Sequence, residues 1–337
     1  MFRTLGKSAA VKIPKSNTPR QAVILGLDVP LLLVLILLTV FGLLMVYSAS
    51  WDASIVFYDS PTAIFVRQLR WAGVGLAVAV ILALVDYHFY QKLATPALGV
   101  TILALIAVLV VGEVRNNAAR TLLGGSVQPS EAAKLVTVLY LAVWLFSKRE
   151  RLSDVTFGLL PLAVILGSLG GLIFLQPDIS AVITVMILGG MMFFLAGGDL
   201  RQMVILLIVA VVVGWGVVWM HPTGAARVAD YFAGLKDPTQ ASYHVRRALE
   251  AFVKGSWFGV GIGKAETKLT GLPFPYTDSI FAVVGEETGV VGAIGLVALY
   301  AGLLWRGMMI SRRAPDEMGR LLAAGLALWI SMEAFIN

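Results

Sequence analysis

The stretch LLLVLILLTVFGLLM, residues 31–45, decides the fold, because it holds no charged side chain and lies in an apolar run at 25–48. A helix needs roughly 17–25 apolar residues to cross a hydrocarbon core about 30 Å thick. Backbone groups find no water there, so a spanning segment must be helical. Eight further runs of this kind lie at 64–85, 93–112, 131–147, 156–175, 179–196, 202–220, 279–304 and 320–337. The pattern predicts an all-α, polytopic integral membrane bundle with nine spans in this sequence.

The composition points the same way. The chain has 337 residues, of which 58% are apolar and 14% charged, and its mean hydropathy is +0.86. Soluble domains are about 45–50% apolar and about 25% charged, so a soluble enzyme is excluded. The chain has no cysteine, which excludes thiol catalysis, zinc–thiolate sites and disulfides. Its three histidines are not at HExxH spacing, which argues against a histidine metal site. We expect no cofactor, no bound metal and no nucleic-acid partner, and leave open whether a divalent cation assists.

The distribution of Lys and Arg predicts how the chain lies in the membrane. Fourteen of these residues fall at the N-terminus and in one set of short loops, and four in the opposite set. Because short cytoplasmic loops carry the excess of positive charge, we expect a cytoplasmic basic tail at 1–22, followed by one transmembrane domain at 23–337. Segment 221–278, between the seventh and eighth spans, is then a long extracytoplasmic loop. Since Asn337 ends the sequence within an apolar run, the natural protein is expected to continue beyond it.

The extracytoplasmic loop contains a candidate interfacial helix at 240–254. Apolar residues recur there at i, i+3, i+4, i+7 and i+8, with charged residues on the opposite side, which is typical of an amphipathic helix lying on a leaflet. This apolar set is Val245, Ala248, Leu249, Phe252 and Val253. The loop carries a net positive charge, which fits either an anionic ligand or anionic lipid headgroups.

Charged residues in or beside membrane helices are costly, so each is a functional candidate. In QPSEAAK, residues 128–134, Glu131 and Lys134 are three apart and share a helix face. They fit either an ion pair that orients the fourth span or contact with a ligand. Pro129 and Ser130 are expected to begin this helix, with Ser130 as its N-cap.

A second candidate is Asp178, in the Gln176-Pro177-Asp178 break between the fifth and sixth runs. A short acidic side chain after proline is a good N-cap for the sixth helix. The alternative is that Asp178 completes a polar cavity with Glu131 and Lys134. The sequence leaves both interpretations open.

The segment from Gly271 to Gly289 is the richest in candidate groups. Its two prolines predict an extended approach to the eighth span, which either Thr277 or Asp278 is expected to cap. A partly desolvated carboxylate where a loop enters the membrane is a better base, so Asp278 is a catalytic candidate, with capping alone as the alternative. Deeper in the same span are two acids at 286–287, and one of them is expected to cap or brace helix contacts.

The glycine-rich stretch at 259–264 superficially looks like a phosphate-binding loop. It lacks the required spacing, because Phe258 and Ala265 stand where glycine and a hydroxyl residue belong. We expect its glycines to form tight turns against the membrane surface instead.

Four motifs together resemble the SEDS family (shape, elongation, division and sporulation), which includes FtsW, RodA and SpoVE. They are MVYSAS at 45–50, QPSE at 128–131 with Lys134, QPD at 176–178, and the segment from Leu272 to Gly289 with its Thr-Asp pair. The match extends over the whole chain. The sequence around the Thr-Asp pair is more similar to the division branch, FtsW, than to the elongation branch, RodA.

The resemblance implies a ten-helix peptidoglycan glycosyltransferase. Such a protein polymerises lipid II at the outer face of the bacterial cytoplasmic membrane and works with a class B penicillin-binding protein transpeptidase and other divisome or elongation membrane proteins. The family's essential carboxylate corresponds to Asp278. Its cavity residues correspond to Glu131, Lys134 and Asp178. Three departures put loop contacts in doubt: Tyr276 replaces a common histidine, the loop at 117–121 lacks a tryptophan, and His244 replaces a common glutamine.

The mechanism expected from these residues is an inverting glycosyl transfer. Asp278 would take the proton of the acceptor hydroxyl as it attacks the anomeric carbon of a lipid-diphosphate donor, releasing polyprenyl diphosphate. Lys134, with Arg120 or Arg227, would stabilise the developing negative charge. Two other functions are considered: a flippase for the lipid-linked precursor, and a scaffold that only binds the transpeptidase.

Overall fold

The computed structural model describes residues 26–111, 113–115, 118–121, 128–220 and 222–336. The basic tail at 1–22 lies outside these residues. The helices within them are α1 (Val29–Tyr58), α2 (Ala63–Ala83), α3 (Tyr90–Val111), α4 (Pro129–Lys148), α5 (Leu160–Phe174), α6 (Ile179–Leu195), α7 (Leu200–Met220), α8 (Pro222–Lys236), α9 (Tyr243–Gly255), α10 (Ile280–Arg312) and α11 (Glu317–Ile336).

All nine apolar runs are confirmed as helices, namely α1 to α7, α10 and α11. Seven of them are long and apolar enough to cross a membrane. The other two contain shorter apolar segments, Ile179–Leu195 and Leu200–Gly216. The chain is therefore a polytopic helical membrane protein, as the hydropathy pattern predicts.

Contacts between α1 and α10 show that these helices are antiparallel. Asp28, the N-cap of α1, forms a two-point ion pair with Arg306, near the end of α10, with N···O distances of 2.8 Å. Ser48, towards the other end of α1, donates to Glu287, near the start of α10. The Asp28 carboxylate is outside the span, and its hydrogen bond from Arg306 lowers its pKa.

The bundle therefore has two ends. We call the end with residues 58–63 and 237–279 the loop face, and the end with Asp28 the tail face. At the tail face, His88 bridges the α2–α3 connection to Asp316 before α11, with a ring nitrogen 2.7 Å from the carboxylate. Burial raises the pKa of Asp316, but hydrogen bonds from the Gly319 backbone N–H and from His88 outweigh it and hold this pKa below its ordinary value.

Two apolar cores hold the bundle together. The larger one joins α3, α4, α5, α6 and α11, with Leu141 and Leu188 among its fully buried members. The smaller one joins α1, α9, α10 and the loop after α9, and it includes Met45 and Val283. The second core ties the long loop to two spans, which fixes the position of residues that lead into α10.

The long loop contains two helices where the sequence predicts one. Helix α9 confirms the amphipathic helix expected at 240–254, but its apolar face is divided. Ala251 is buried, whereas Val245 and Val253 are exposed. Helix α8 is not predicted by the sequence analysis.

The connection between α3 and α4 also differs from the all-α expectation. It contains a short antiparallel hairpin of β1 (Glu113–Arg115) and β2 (Ala118–Thr121). The segment lies between two spans and outside the helices, so its backbone groups are satisfied by pairing with each other. The hairpin does not change the helical class of the fold.

Candidate functional site

Helix α4 begins as its sequence predicts, with proline at its first position, but the N-cap differs. Gln128 occupies the cap position and Pro129 follows it, so the prediction that Ser130 caps this helix is wrong. The Ser130 hydroxyl instead donates to Asp178 at 2.8 Å. The Ser130 hydroxyl therefore bonds to a residue of another helix instead of to the backbone at the start of α4.

Lys134 is held between two carboxylates. Its Nζ lies 2.8 Å from Glu131 Oε2, which confirms the predicted pair on one helix face, and 2.6 Å from Glu333 Oε1 on α11. The lysine side chain is 2% exposed, whereas that of Glu131 is 51% exposed. We call Lys134, Glu131 and Glu333 the Lys134 cluster. The cluster carries one net negative charge, and its Glu131 side chain remains about half exposed.

Asp178 caps α6, as one of the two interpretations of the sequence expects, and its other carboxylate oxygen binds the start of α4. Its Oδ1 accepts from the Ala181 backbone N–H at 3.3 Å, as an N-cap of α6. Its Oδ2 accepts from the Gln128 side chain at 3.0 Å and from Ser130. The structure thus brings Asp178 to the start of α4, the helix that carries Glu131 and Lys134. The alternative that Asp178 completes a polar cavity with these two residues stays a prediction.

Asp278 has a different setting from these residues. The prediction that Thr277 or Asp278 caps the eighth span is wrong, because Ser279 occupies the cap position of α10 and its hydroxyl donates to the Pro273 carbonyl at 2.7 Å. Asp278 is exposed, and among the described residues no hydrogen bond or ion pair joins it to the Lys134 cluster or to Asp178. Its carboxylate is left available to an external group.

Behind Asp278, two buried acids on α10 hold the loop. Glu286 accepts from the backbone N–H groups of Glu266 and Thr267, at 2.8 and 3.2 Å, and from the Thr267 hydroxyl. Glu287 accepts from Lys268 Nζ at 2.8 Å and from Ser48 Oγ at 2.6 Å. One of the two acids was expected to brace helix contacts, and the structure shows that both do.

We call Lys268, Glu287 and Ser48 the Lys268 cluster. The two charged side chains are almost fully enclosed, at 6% and 0% exposure. Lys268 also donates to the Gly263 carbonyl at 3.2 Å. A single ammonium group therefore connects α1, α10 and two points of the loop that leads to Asp278.

Helix α10 is broken at Gly289, whose φ of 70° and ψ of −175° are not helical. The glycine-rich stretch fills the break. Backbone N–H groups of Val260 and Gly261 donate to the carbonyls of Glu286 and Glu287, each at 3.0 Å. Gly261 has a positive φ, which confirms tight turning, although the turn packs on α10.

Helix α9 supports the same loop from the other side. The Tyr243 hydroxyl donates to the Gly271 carbonyl at 2.8 Å, and the Arg247 guanidinium donates to Thr270. Leu272, which follows these contacts, is buried in the smaller core. The segment carrying Asp278 is therefore fixed by side chains from α1, α9 and α10.

The predicted roles of Arg120 and Arg227 fall on side chains that the structure does not describe. Arg120 lies in β2 and Arg227 in α8, but their side chains lie outside the described part of the chain. Their role in binding an anionic substrate remains a prediction.

Three residues of these clusters are not among the site residues predicted from the sequence. Glu333, Lys268 and Ser48 are separated from their partners by 199, 19 and 239 residues. A charged residue in the last apolar run is a signal that could have drawn attention to Glu333. Ser48 lies in the MVYSAS motif, but nothing local in the sequence indicates its bond to Glu287, which is 239 residues away.

Comparisons with known proteins identify the family. A profile described as cell cycle protein, covering FtsW, RodA and SpoVE, matches residues 29–337. The chain belongs to this family. A probable peptidoglycan glycosyltransferase FtsW of Trichlorobacter lovleyi is 34% identical over 317 residues, which are 92% of this chain and 82% of the relative. Stage V sporulation protein E of Bacillus subtilis is 32% identical over 315 residues, which are 92% and 86% of the two chains.

Solved structures of the family share the fold. One chain comes from a study described as the structural coordination of polymerization and crosslinking by a peptidoglycan synthase complex. It matches with a TM-score of 0.72 at 26% identity, covering 91% of this chain and 85% of that chain. The rod shape determining protein RodA of Thermus thermophilus matches with a TM-score of 0.66 at 25% identity, covering 93% and 84%.

Proposed function

We propose that this chain polymerises lipid II into glycan strands at the loop face, with Asp278 as general base. The chain is a peptidoglycan glycosyltransferase of a membrane-embedded family, as its relatives are named. The observation that carries the catalytic assignment is the contrast around Asp278. Its carboxylate is exposed and has no hydrogen-bond or ion-pair partner among the described residues, whereas buried contacts hold the loop that carries it.

The proposed reaction is a single displacement. The acceptor hydroxyl oxygen forms a bond to the anomeric carbon of the donor, its proton passes to Asp278, and the bond from that carbon to the diphosphate breaks. The diphosphate leaves with its polyprenyl chain, and the configuration at the anomeric carbon is inverted. A diphosphate is a good leaving group, so no protein acid is required. A held carboxylate within reach of the hydroxyl is the geometry that general base catalysis needs.

The Lys134 cluster is proposed to contact the substrate, but its charge balance modifies the expected role of the lysine. Lys134 already faces Glu131 and Glu333 at 2.8 and 2.6 Å. To stabilise a leaving diphosphate, its ammonium group has to exchange one carboxylate for a phosphate oxygen. Half-exposed Glu131 is the partner that can be released with less desolvation cost.

We also propose the membrane orientation and the partner. The Lys and Arg bias supports a tail face in the cytoplasm, and therefore a loop face outside the cytoplasmic membrane. A structural neighbour belongs to a peptidoglycan synthase complex that coordinates polymerization and crosslinking, which supports a class B transpeptidase as partner of this chain. Division is proposed over elongation because FtsW proteins recur among the relatives.

The test is glycan polymerisation by the purified chain in complex with its cognate transpeptidase, with lipid II as substrate. We expect Asp278→Asn to lower the rate at least about 100-fold, the usual contribution of a positioned base. The matched control is Asp230→Asn, which removes an exposed carboxylate from α8 and should leave the rate unchanged. Undiminished polymerisation by the Asp278 variant would reject the proposal. Lipid II transfer across liposomes without polymer would favour the flippase alternative.

A further inference from the structure

Two arginines at the loop face are used by neither cluster. Arg67 and Arg70 are both exposed, and because they are three residues apart on α2 they project from the same side of the helix. They line a cavity of about 380 Å³ together with Tyr58, Ser60 and Thr62. Neither guanidinium forms an ion pair with the residues that the structure describes.

The walls of the cavity supply donors and no acid. Arg67 Nη1 donates to the Tyr58 hydroxyl at 3.2 Å and its guanidinium stacks 5.7 Å from the centre of the Tyr58 ring, so one arginine is already oriented. The Thr62 side chain makes no capping bond to α2, so its hydroxyl is available to a ligand. Asp59, the nearest acid in the sequence, is not among the lining residues. Two cations and three hydroxyl groups around one cavity match the oxygens of a phosphate group.

The surroundings of the cavity are those of a lipid. Between and beyond the arginines on α2, the large apolar side chains Leu69, Trp71 and Val74 are exposed, as expected for a helix that faces the bilayer. An arginine at this position is costly in the membrane unless it meets an opposite charge. A ligand with an anionic head and an apolar tail satisfies both features.

We propose that this cavity binds the phosphate headgroup of one anionic phospholipid, with its acyl chains along the exposed side of α2. The lipid comes from the leaflet at the loop face. The site is separate from Asp278 and from the Lys134 cluster, and it does not depend on the proposed function. Free inorganic phosphate shares the headgroup chemistry but lacks the apolar part that α2 accommodates.

The test is native mass spectrometry of the purified chain in detergent, with phosphatidylglycerol, phosphatidylcholine or inorganic phosphate added. We expect one saturable phosphatidylglycerol per chain and no comparable binding of phosphatidylcholine. Arg67→Gln and Arg70→Gln should each weaken phosphatidylglycerol binding about 10-fold, and the double variant about 100-fold, because each removes a charge-assisted contact. The matched control Arg246→Gln removes an exposed arginine of α9 outside the cavity and should bind normally.

A second kind of variant tests the proposal even if the arginine variants do not fold. Ala63→Leu places an apolar side chain into the cavity wall and retains both arginines, and it should lower phosphatidylglycerol binding at least about 10-fold. The proposal is overturned if phosphatidylcholine binds equally well, or if the double variant and Ala63→Leu both keep full occupancy. Displacement of the lipid by an equal concentration of inorganic phosphate would also overturn it, since that result indicates a site for free anions.

Discussion

The Lys134 and Lys268 clusters each place a buried lysine against a carboxylate at the loop face, yet they differ in how far they are closed. Lys134 faces a glutamate that is 51% exposed, whereas Lys268 faces one at 0%. A charged pair that keeps a hydrated side can exchange a partner for a ligand. A fully enclosed pair cannot do so without large cost, so it serves to hold the loop. The same pair of residue types thus fits binding in one place and positioning in the other.

The largest effect is expected when the enclosed pair is broken. Lys268→Met leaves the Glu287 carboxylate buried without its cation, which costs about 3–5 kcal/mol. We expect a lower free energy of unfolding in detergent and a loss of polymerisation, because the loop that carries Asp278 loses its connection to α1. Lys264→Met, at an exposed position four residues earlier, is the matched control and should change neither quantity.

A slightly smaller effect is expected at the break in α10. A Cβ added at Gly289 would lie 2.4 Å from the Trp257 carbonyl oxygen, at a φ of 70°, so Gly289→Ala should destabilise the protein by about 2–4 kcal/mol. Gly295→Ala on the same helix meets nothing within 4 Å and should be neutral or stabilising by up to about 1 kcal/mol. Equal thermal stability of the two variants would contradict the close packing of the glycine-rich stretch against α10 at Gly289.

Substitution in the Lys134 cluster should lower stability less than substitution in the Lys268 cluster, and it should lower activity by more than the stability loss explains. Lys134→Met leaves Glu131, which can rehydrate, and Glu333, so we expect a loss of about 1–3 kcal/mol. If the cluster contacts substrate, polymerisation should fall by more than this loss of stability explains, measured at a temperature where the variant is folded. Lys148→Met, at the exposed other end of α4, is the control. A stability loss equal to that of Lys268→Met would remove the distinction between the clusters.

The smallest effect concerns the tail face, away from both clusters. The pKa of Asp316 is lower in the folded state than its ordinary value of 3.8, so its bonds stabilise the protein fully above about pH 4. This contribution is lost as pH falls through the lower folded pKa. It should be below about 1 kcal/mol, since the site is partly exposed. Asp316→Asn should flatten this acid-side decline in unfolding temperature, while Asp199→Asn, on a neighbouring tail-face loop, should not.

Much of the fold could be predicted from the sequence. Nine apolar runs became nine helices, because a bilayer leaves the backbone no other conformation over such a length. The Glu131–Lys134 pair was also predictable, since helix geometry places residues three apart side by side. The N-caps of α4 and α10 were mispredicted, because Ser130 and Ser279 respond to tertiary neighbours as well as to local preference.

The amino-acid order by itself determined the helical class, the nine apolar runs that form helices and the Glu131–Lys134 pair. Only the tertiary structure decided which charges are paired, which are enclosed and which, like that of Asp278, remain exposed. The reason is physical: local periodicity and burial of apolar runs act over a few residues, whereas the burial of a charge depends on partners that the chain brings from as far as 239 residues away.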